Sequence, residues 1–150
     1  METIFLQEMY RRFSVIKQQG DEMLAEIAES ALTWQPNKDS NSVSILVKHL
    51  HGNMVSRATN FLHADGEKPT RNRNAEFYND ISSKKELLAL WQEGWDKLLV
   101  MLQNLRPYDV HKYVLLRGEQ ISVTEALTRM LVHYSEHVGQ IIYITKLKRS

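Results

Sequence analysis

His133-Tyr134-Ser135-Glu136-His137 sets two imidazoles four residues apart in a strongly helical segment. Residues four apart on an α-helix stand one above the other on the same face, and two histidines so placed can grip one metal ion. The spacing alone is a weak signal in a chain with six His among 150 residues. The pattern around it adds weight. At about 100° per residue, His133 and His137 share a sector with Ala126, Met130, Ile141 and Ile144. Glu125, Thr128, Arg129, Glu136 and Lys146 fall on the other side. Both rings therefore turn toward the apolar face, where each ring nitrogen needs a partner. The pair reads either as two core histidines satisfied by neighbouring side chains or as part of a metal site. Glu136 sits roughly 80–100° away from the face of the pair, a poor position for a general base.

Catalytic metal sites commonly combine three protein ligands with one open position. A third ligand is available in the second helix, which offers His49 and His51. These lie about 200° apart, so only one faces the bundle centre. The apolar stripe through Val43, Leu46, Leu50, Met54 and Phe61 leans toward His51 by about 40° and leaves the choice open. His63 beside Asp65-Gly66 and His111 after Asp109 read as solvated loop residues. The chain has no Cys, which excludes disulfides, thiolate ligands and a protein thiol nucleophile. Any metal site must be made from His, carboxylates and water.

Four long helices are expected to carry these residues. Gly (six) and Pro (three) are scarce and mostly punctuate periodic segments. The first helix is expected over about Thr3 to Glu29, with apolar residues near helical spacing from Phe5 to Ile27. A turn-rich loop from Trp34 to Ser42 precedes the second, roughly Val43 to His63. A long polar connection, His63 to Asn74, leads toward the third helix, which opens on a Ser83/Glu86 capping box and runs to about Leu105. Trp91 and Trp95 read as its core anchors. Tyr113-Val114-Leu115-Leu116, a turn at Arg117-Gly118-Glu119 and a return through Gln120 to Val123 suggest a short hairpin or an extended loop. Ser122 and Glu125 then cap the last helix, about Val123 to Lys148. The connections between helices one and two and between three and four are long enough to cross the bundle. The expectation is an all-α four-helix bundle with long crossover connections, one domain over 1–150.

Here the chain resembles a known family. Ser44-Ile45-Leu46-Val47-Lys48-His49-Leu50 with Gly52-Asn53-Met54, and His133-x-x-x-His137-x-Gly139-Gln140-Ile141, resemble the second- and last-helix signatures of the DinB-like superfamily of metalloproteins. Asp65-Gly66-Glu67-Lys68-Pro69-x-Arg71-Asn72-Arg73 resembles one uncharacterised bacterial branch of it. The resemblance covers essentially the whole chain. It implies a four-helix bundle and a three-His metal site, which maps onto His49, His133 and His137 and selects His49 over His51. It also implies enzyme classes, since some members are thiol transferases using a low-molecular-weight thiol and others are linked to hydrolysis.

A three-His site with a free position is a Lewis acid, and with zinc it acidifies bound water to a pKa of about 7. A Cys-free protein can transfer a thiol only if the thiol arrives from outside. Zinc and nickel lead the expected metals, with manganese and iron also compatible with imidazole ligands. Arg71 and Arg73 are either bidentate anchors for an anionic substrate or loop staples paired with acids such as Glu67 and Glu76. Asn53, one turn beyond His49, is a candidate to support a ligand. The expected function is a metal-dependent thiol S-transferase or small-molecule hydrolase. The alternative is a non-catalytic metal-binding structural or interaction protein.

Composition bounds the partners. Lys plus Arg is 19 against 18 Asp plus Glu, a formal net charge of +1, which gives no electrostatic case for nucleic acid or an anionic membrane. There is no apolar run of spanning length. Met1 to Glu8 carries two acids and no basic stretch before its short apolar patch, so cytoplasm is the default location. Leu127, Leu131, Val138 and Ile142 lie far round the last helix from the His pair, more than one apolar stripe needs. Superfamily members often associate through bundle faces, so a homodimer burying these residues is expected.

Overall fold

A computed structural model describes residues 1–149. Four long helices form the bundle: α1 (Glu2–Glu26), α2 (Val43–Ala58), α4 (Lys84–Asn104) and α5 (Val123–Lys148). A single helical turn, α3 (Arg73–Glu76), lies between α2 and α4. The main helix contacts are α2 with α4, α1 with α5, α1 with α4 and α2 with α5. The sequential pairs α1/α2 and α4/α5 therefore sit diagonally, and the segments joining them cross the bundle as expected from their length.

Local chemistry sets the starts of these helices. Ser42, Ser83 and Ser122 each accept a hydrogen bond from the backbone N–H three residues on, at Ile45, Glu86 and Glu125. Each cap satisfies a donor that the first helical turn leaves without a partner. α2 ends five residues earlier than the sequence suggests. Thr59 is already extended and Asn60 takes a positive φ of 50°, so the apolar periodicity that continues to Phe61 belongs to a loop folded back on the core. α1 ends at Glu26, and Glu29–Ala31 form a separate 3-10 turn.

The hairpin is present. β1 (Tyr113–Leu116) pairs antiparallel with β2 (Glu119–Ser122), with Val114 opposite Ile121. Arg117 and Gly118 form its two-residue turn with φ of 53° and 78°. Both central residues at positive φ match the right-handed twist of paired strands, and Gly carries no Cβ penalty there.

The core runs the length of the bundle. Trp95 is fully buried and packs edge-on against Trp91 and Tyr134. Gly20 accepts the Trp91 ring where any Cβ would overlap it, and Trp91 donates its N–H to Asp21 at 2.7 Å. On α5, Leu127 and Val138 are buried within this same core, and Leu131 and Ile142 pack against its edge. Of the four residues named for a dimer face, Leu127 and Val138 are therefore core positions, while Leu131 and Ile142 stay partly exposed. Among the described residues no helix is long and apolar enough to cross a membrane.

Candidate metal centre

α5 presents His133 and His137 on one side, and α2 brings His49 against them. One ligand nitrogen from each of His49, His133 and His137 lies within 4.8 Å of the others. The Nε2 atoms of His49 and His133 are 3.1 Å apart. Metal–nitrogen bonds of about 2.0–2.1 Å in tetrahedral geometry set ligand nitrogens roughly 3.4 Å apart, so this pair already stands at ligating distance. His49 is buried, and the other two are partly covered. The three rings meet edge to face, with centroids 4.7–5.1 Å apart.

The outward nitrogens of His49 and His137 are held as well. His49 Nδ1 lies 3.0 Å from Glu76 Oε1, and a carboxylate there fixes the ring with its Nε2 lone pair facing the cluster. Glu76 is itself buried and gripped by Arg71, whose Nε reaches Oε2 at 2.8 Å and whose Nη2 reaches Oε1 at 2.9 Å. Burial alone would raise the Glu76 pKa. The hydrogen bonds from Arg71 and His49 outweigh it and hold the carboxyl below its ordinary value. Gly52 makes this contact feasible, because a Cβ at that position would overlap the Glu76 carboxylate. His137 Nδ1 is 2.8 Å from Gln140 Oε1.

Two of the imidazoles are pushed toward the form a metal needs. Burial, then the neighbouring His137 and His49, push His133 down to about 4. Burial also lowers His137, against the opposing hydrogen bond it donates to Gln140 Oε1. Both shifts favour neutral imidazole, which is the ligating form. The donor set, its spacing and the supported outer nitrogens of His49 and His137 fit a divalent metal ion.

His49 and His133, with Asn53, form the floor of a cavity of about 310 Å³. Its far wall is the hairpin, and Phe61, Ala126 and Met130 contribute apolar surface. The loop from Asp65 to Lys68 builds this wall. Gly66 donates its N–H to Leu115 O at 2.9 Å, and the Asp65 carboxylate accepts from the backbone N–H groups of Glu67, Arg117 and Gly118 at 2.8–2.9 Å. Ser56 and Arg57 of α2 both donate to Gly66 O at 2.6 Å.

The structure separates residues that the sequence grouped. His51 lies on the α4 side of α2, its Nε2 3.5 Å from Glu93, and takes no part in the cluster. Arg71 is buried against Glu76, with Glu67 at 3.5 Å, and does not line the cavity. The contacts of Arg71 are those of the staple reading: its Nε and Nη2 bind Glu76, while its Nη1 has no hydrogen-bond partner. Arg73 does line the cavity. Asn53 makes no hydrogen bond to a histidine among the described residues; it accepts from the Tyr134 hydroxyl at 2.7 Å and joins α2 to α5. His63 and His111 are exposed, and His111 pairs with Glu2.

A helical bundle of crossed connections with a three-His cluster between its second and last helices defines a DinB-like protein. The chain belongs to the family described as "Protein of unknown function (DUF1572)", which matches residues 1–150 and is DinB-like. Its fold is similar to the crystal structure of a DinB-like protein, YjoA from Bacillus subtilis. The TM-score is 0.73 over 95% of this chain and 93% of that one. At 16% sequence identity the likeness is one of fold. No curated protein matches the sequence.

Proposed function

We propose that His49, His133 and His137 hold one divalent metal and that the chain is a metal-dependent enzyme acting on a small molecule, either a thiol S-transferase fed by an external low-molecular-weight thiol or a hydrolase. The observation that carries this reading is the position of the cluster. Two of its imidazoles, His49 and His133, line a cavity, where an outside molecule can reach them, and His137 stands beside them. Among the described residues the cluster holds no fourth His, Asp or Glu, and both oxygens of the nearby Glu76 are occupied by Arg71. Three protein ligands with a free position is the arrangement of a catalytic rather than a closed structural site.

A bound metal would supply Lewis acidity and acidify a thiol or water at its free position. The chain's own residues do the rest. Glu76 and Arg71 fix the His49 ring, Gln140 fixes His137, and the hairpin with its loop limits access of bulk water. The test is cobalt substitution. The visible spectrum should change on adding a small thiol such as cysteamine, or azide, as a new ligand enters. An unchanged spectrum with every added ligand, together with a large loss of thermal stability on metal removal, would favour a purely structural metal.

A further inference from the structure

Four arginines, Arg57, Arg73, Arg117 and Arg129, line the cavity above the histidines, and among the described residues no carboxylate lines it. They come from four different elements: α2, α3, the hairpin turn and α5. A near-neutral chain thus turns one sign of charge toward one small concavity. The acids around it do not cancel that charge. Glu67 is shared between Arg57 at 3.3 Å, Arg117 at 3.4 Å and Arg71 at 3.5 Å. Glu125 pairs with Arg129 at 2.7 Å on an exposed surface, where such a pair is worth little. Arg73 has no hydrogen-bond or ion-pair partner among the described residues. Guanidinium groups suit planar oxyanions by paired N–H donors, and the remaining wall is apolar.

We infer that the cavity takes a small substrate with an oxyanion group, carboxylate or phosphate, on an apolar body, the oxyanion held by Arg73 and Arg129 and the body lying against Phe61 and Met130 toward the histidines. The volume of about 310 Å³ is at the small end for ligand sites, so it suits a molecule the size of a substituted benzene rather than a polymer. This refines the proposed function by naming the class of molecule presented to the cluster, and the arginine contact itself does not require the metal.

Calorimetric titration with 3-phenylpropionate, phenyl phosphate and the neutral 3-phenylpropanol tests it, on zinc-loaded and on chelator-stripped protein. Arg73 and Arg129 are exposed, so Arg73→Ala and Arg129→Ala should fold. Arg106→Ala, whose side chain does not line the cavity, is the control. The expected result is binding of at least one anion ten-fold or more tighter than the alcohol. Affinity should fall about ten-fold in each of the two variants, stay unchanged in the control, and survive in stripped protein. Retained anion affinity in both variants would overturn the inference, as would equal binding of the alcohol. Anion binding abolished by stripping but untouched by the arginine changes would also overturn it, placing the anion on the metal and leaving the metal reading standing. A protein that takes up no zinc yet shows arginine-dependent binding would do the reverse.

Discussion

Glu76 is the residue on which the geometry of the site turns. Its carboxylate is the link between a histidine of the cluster and a buried arginine, and it lies 27 residues from His49 in sequence. Removing such a support from a ligating histidine typically costs 10–100-fold in metal affinity. Glu76→Gln should therefore weaken metal binding within that range while the three His remain. Glu76→Ala should also destabilise the fold by about 3 kcal/mol, because it leaves Arg71 buried without its partner. Competition with a chelating dye, alongside a denaturant melt of metal-free protein, separates the two effects. Gly52→Ala makes a related point, since its methyl displaces the Glu76 carboxylate. It should reproduce the loss of affinity without touching any charged group. A linear reading offers Glu76 only as a candidate partner of Arg71 and does not connect it to His49. The last-helix pair was legible because both histidines sit on one helix at fixed spacing, and His49 because of the motif around it. Glu76 and Gly52 entered the site only through a tertiary contact that no periodicity reports.

The elements divide in the same way. α5, α4 and the hairpin were legible because their signals are local: a serine cap, a 3.6-residue period, an alternating pair of strands around a tight turn. The end of α2 was not, because Phe61 keeps the apolar period after Asn60 has already turned the backbone to positive φ. α3 is one turn long, too short for any period to register, yet it delivers Glu76 to the cluster and Arg73 to the cavity. The wall of the cavity hangs on Asp65, which accepts three backbone hydrogen bonds. Those from Glu67, Gly118 and Arg117 hold its carboxyl below the ordinary value of 3.8. A folded value below the unfolded one means that the native state binds fewer protons. The contribution is then complete above 3.8 and lost as pH falls through the folded value. Asp65→Ala should accordingly melt below wild type at pH 7, and the gap should narrow in a scan taken to pH 3. Faster hydrogen exchange at the Gly118 amide at pH 7 would report the same loosening. Equal exchange in both proteins would mean that Asp65 does not anchor the hairpin.

At the scale of the whole molecule, the bundle and the site are coupled through the diagonal arrangement of the helices. α2 and α5 contact each other through the cluster and through the Tyr134–Asn53 hydrogen bond, so a metal there clamps two elements that lie far apart in sequence. A ligand that binds only the folded chain stabilises it by about 4 kcal/mol at a free concentration 1,000 times its Kd, which for a domain of this size raises Tm by on the order of 10 °C. Adding zinc to stripped protein should produce a rise of that order in wild type and none in His133→Ala. Much of the broad apolar surface of α5 belongs to the bundle core. Leu127 and Val138 face the core while His133 and His137 occupy the border of the same buried face.

Metal content per chain tests the central claim most directly. Elemental analysis of untagged protein, wild type and with single substitutions, should find about one divalent metal per chain in wild type and in His51→Ala. It should find almost none in His49→Ala, His133→Ala and His137→Ala. Stoichiometric metal surviving in His137→Ala, or metal lost from His51→Ala while His49→Ala retains it, would contradict the three-His centre.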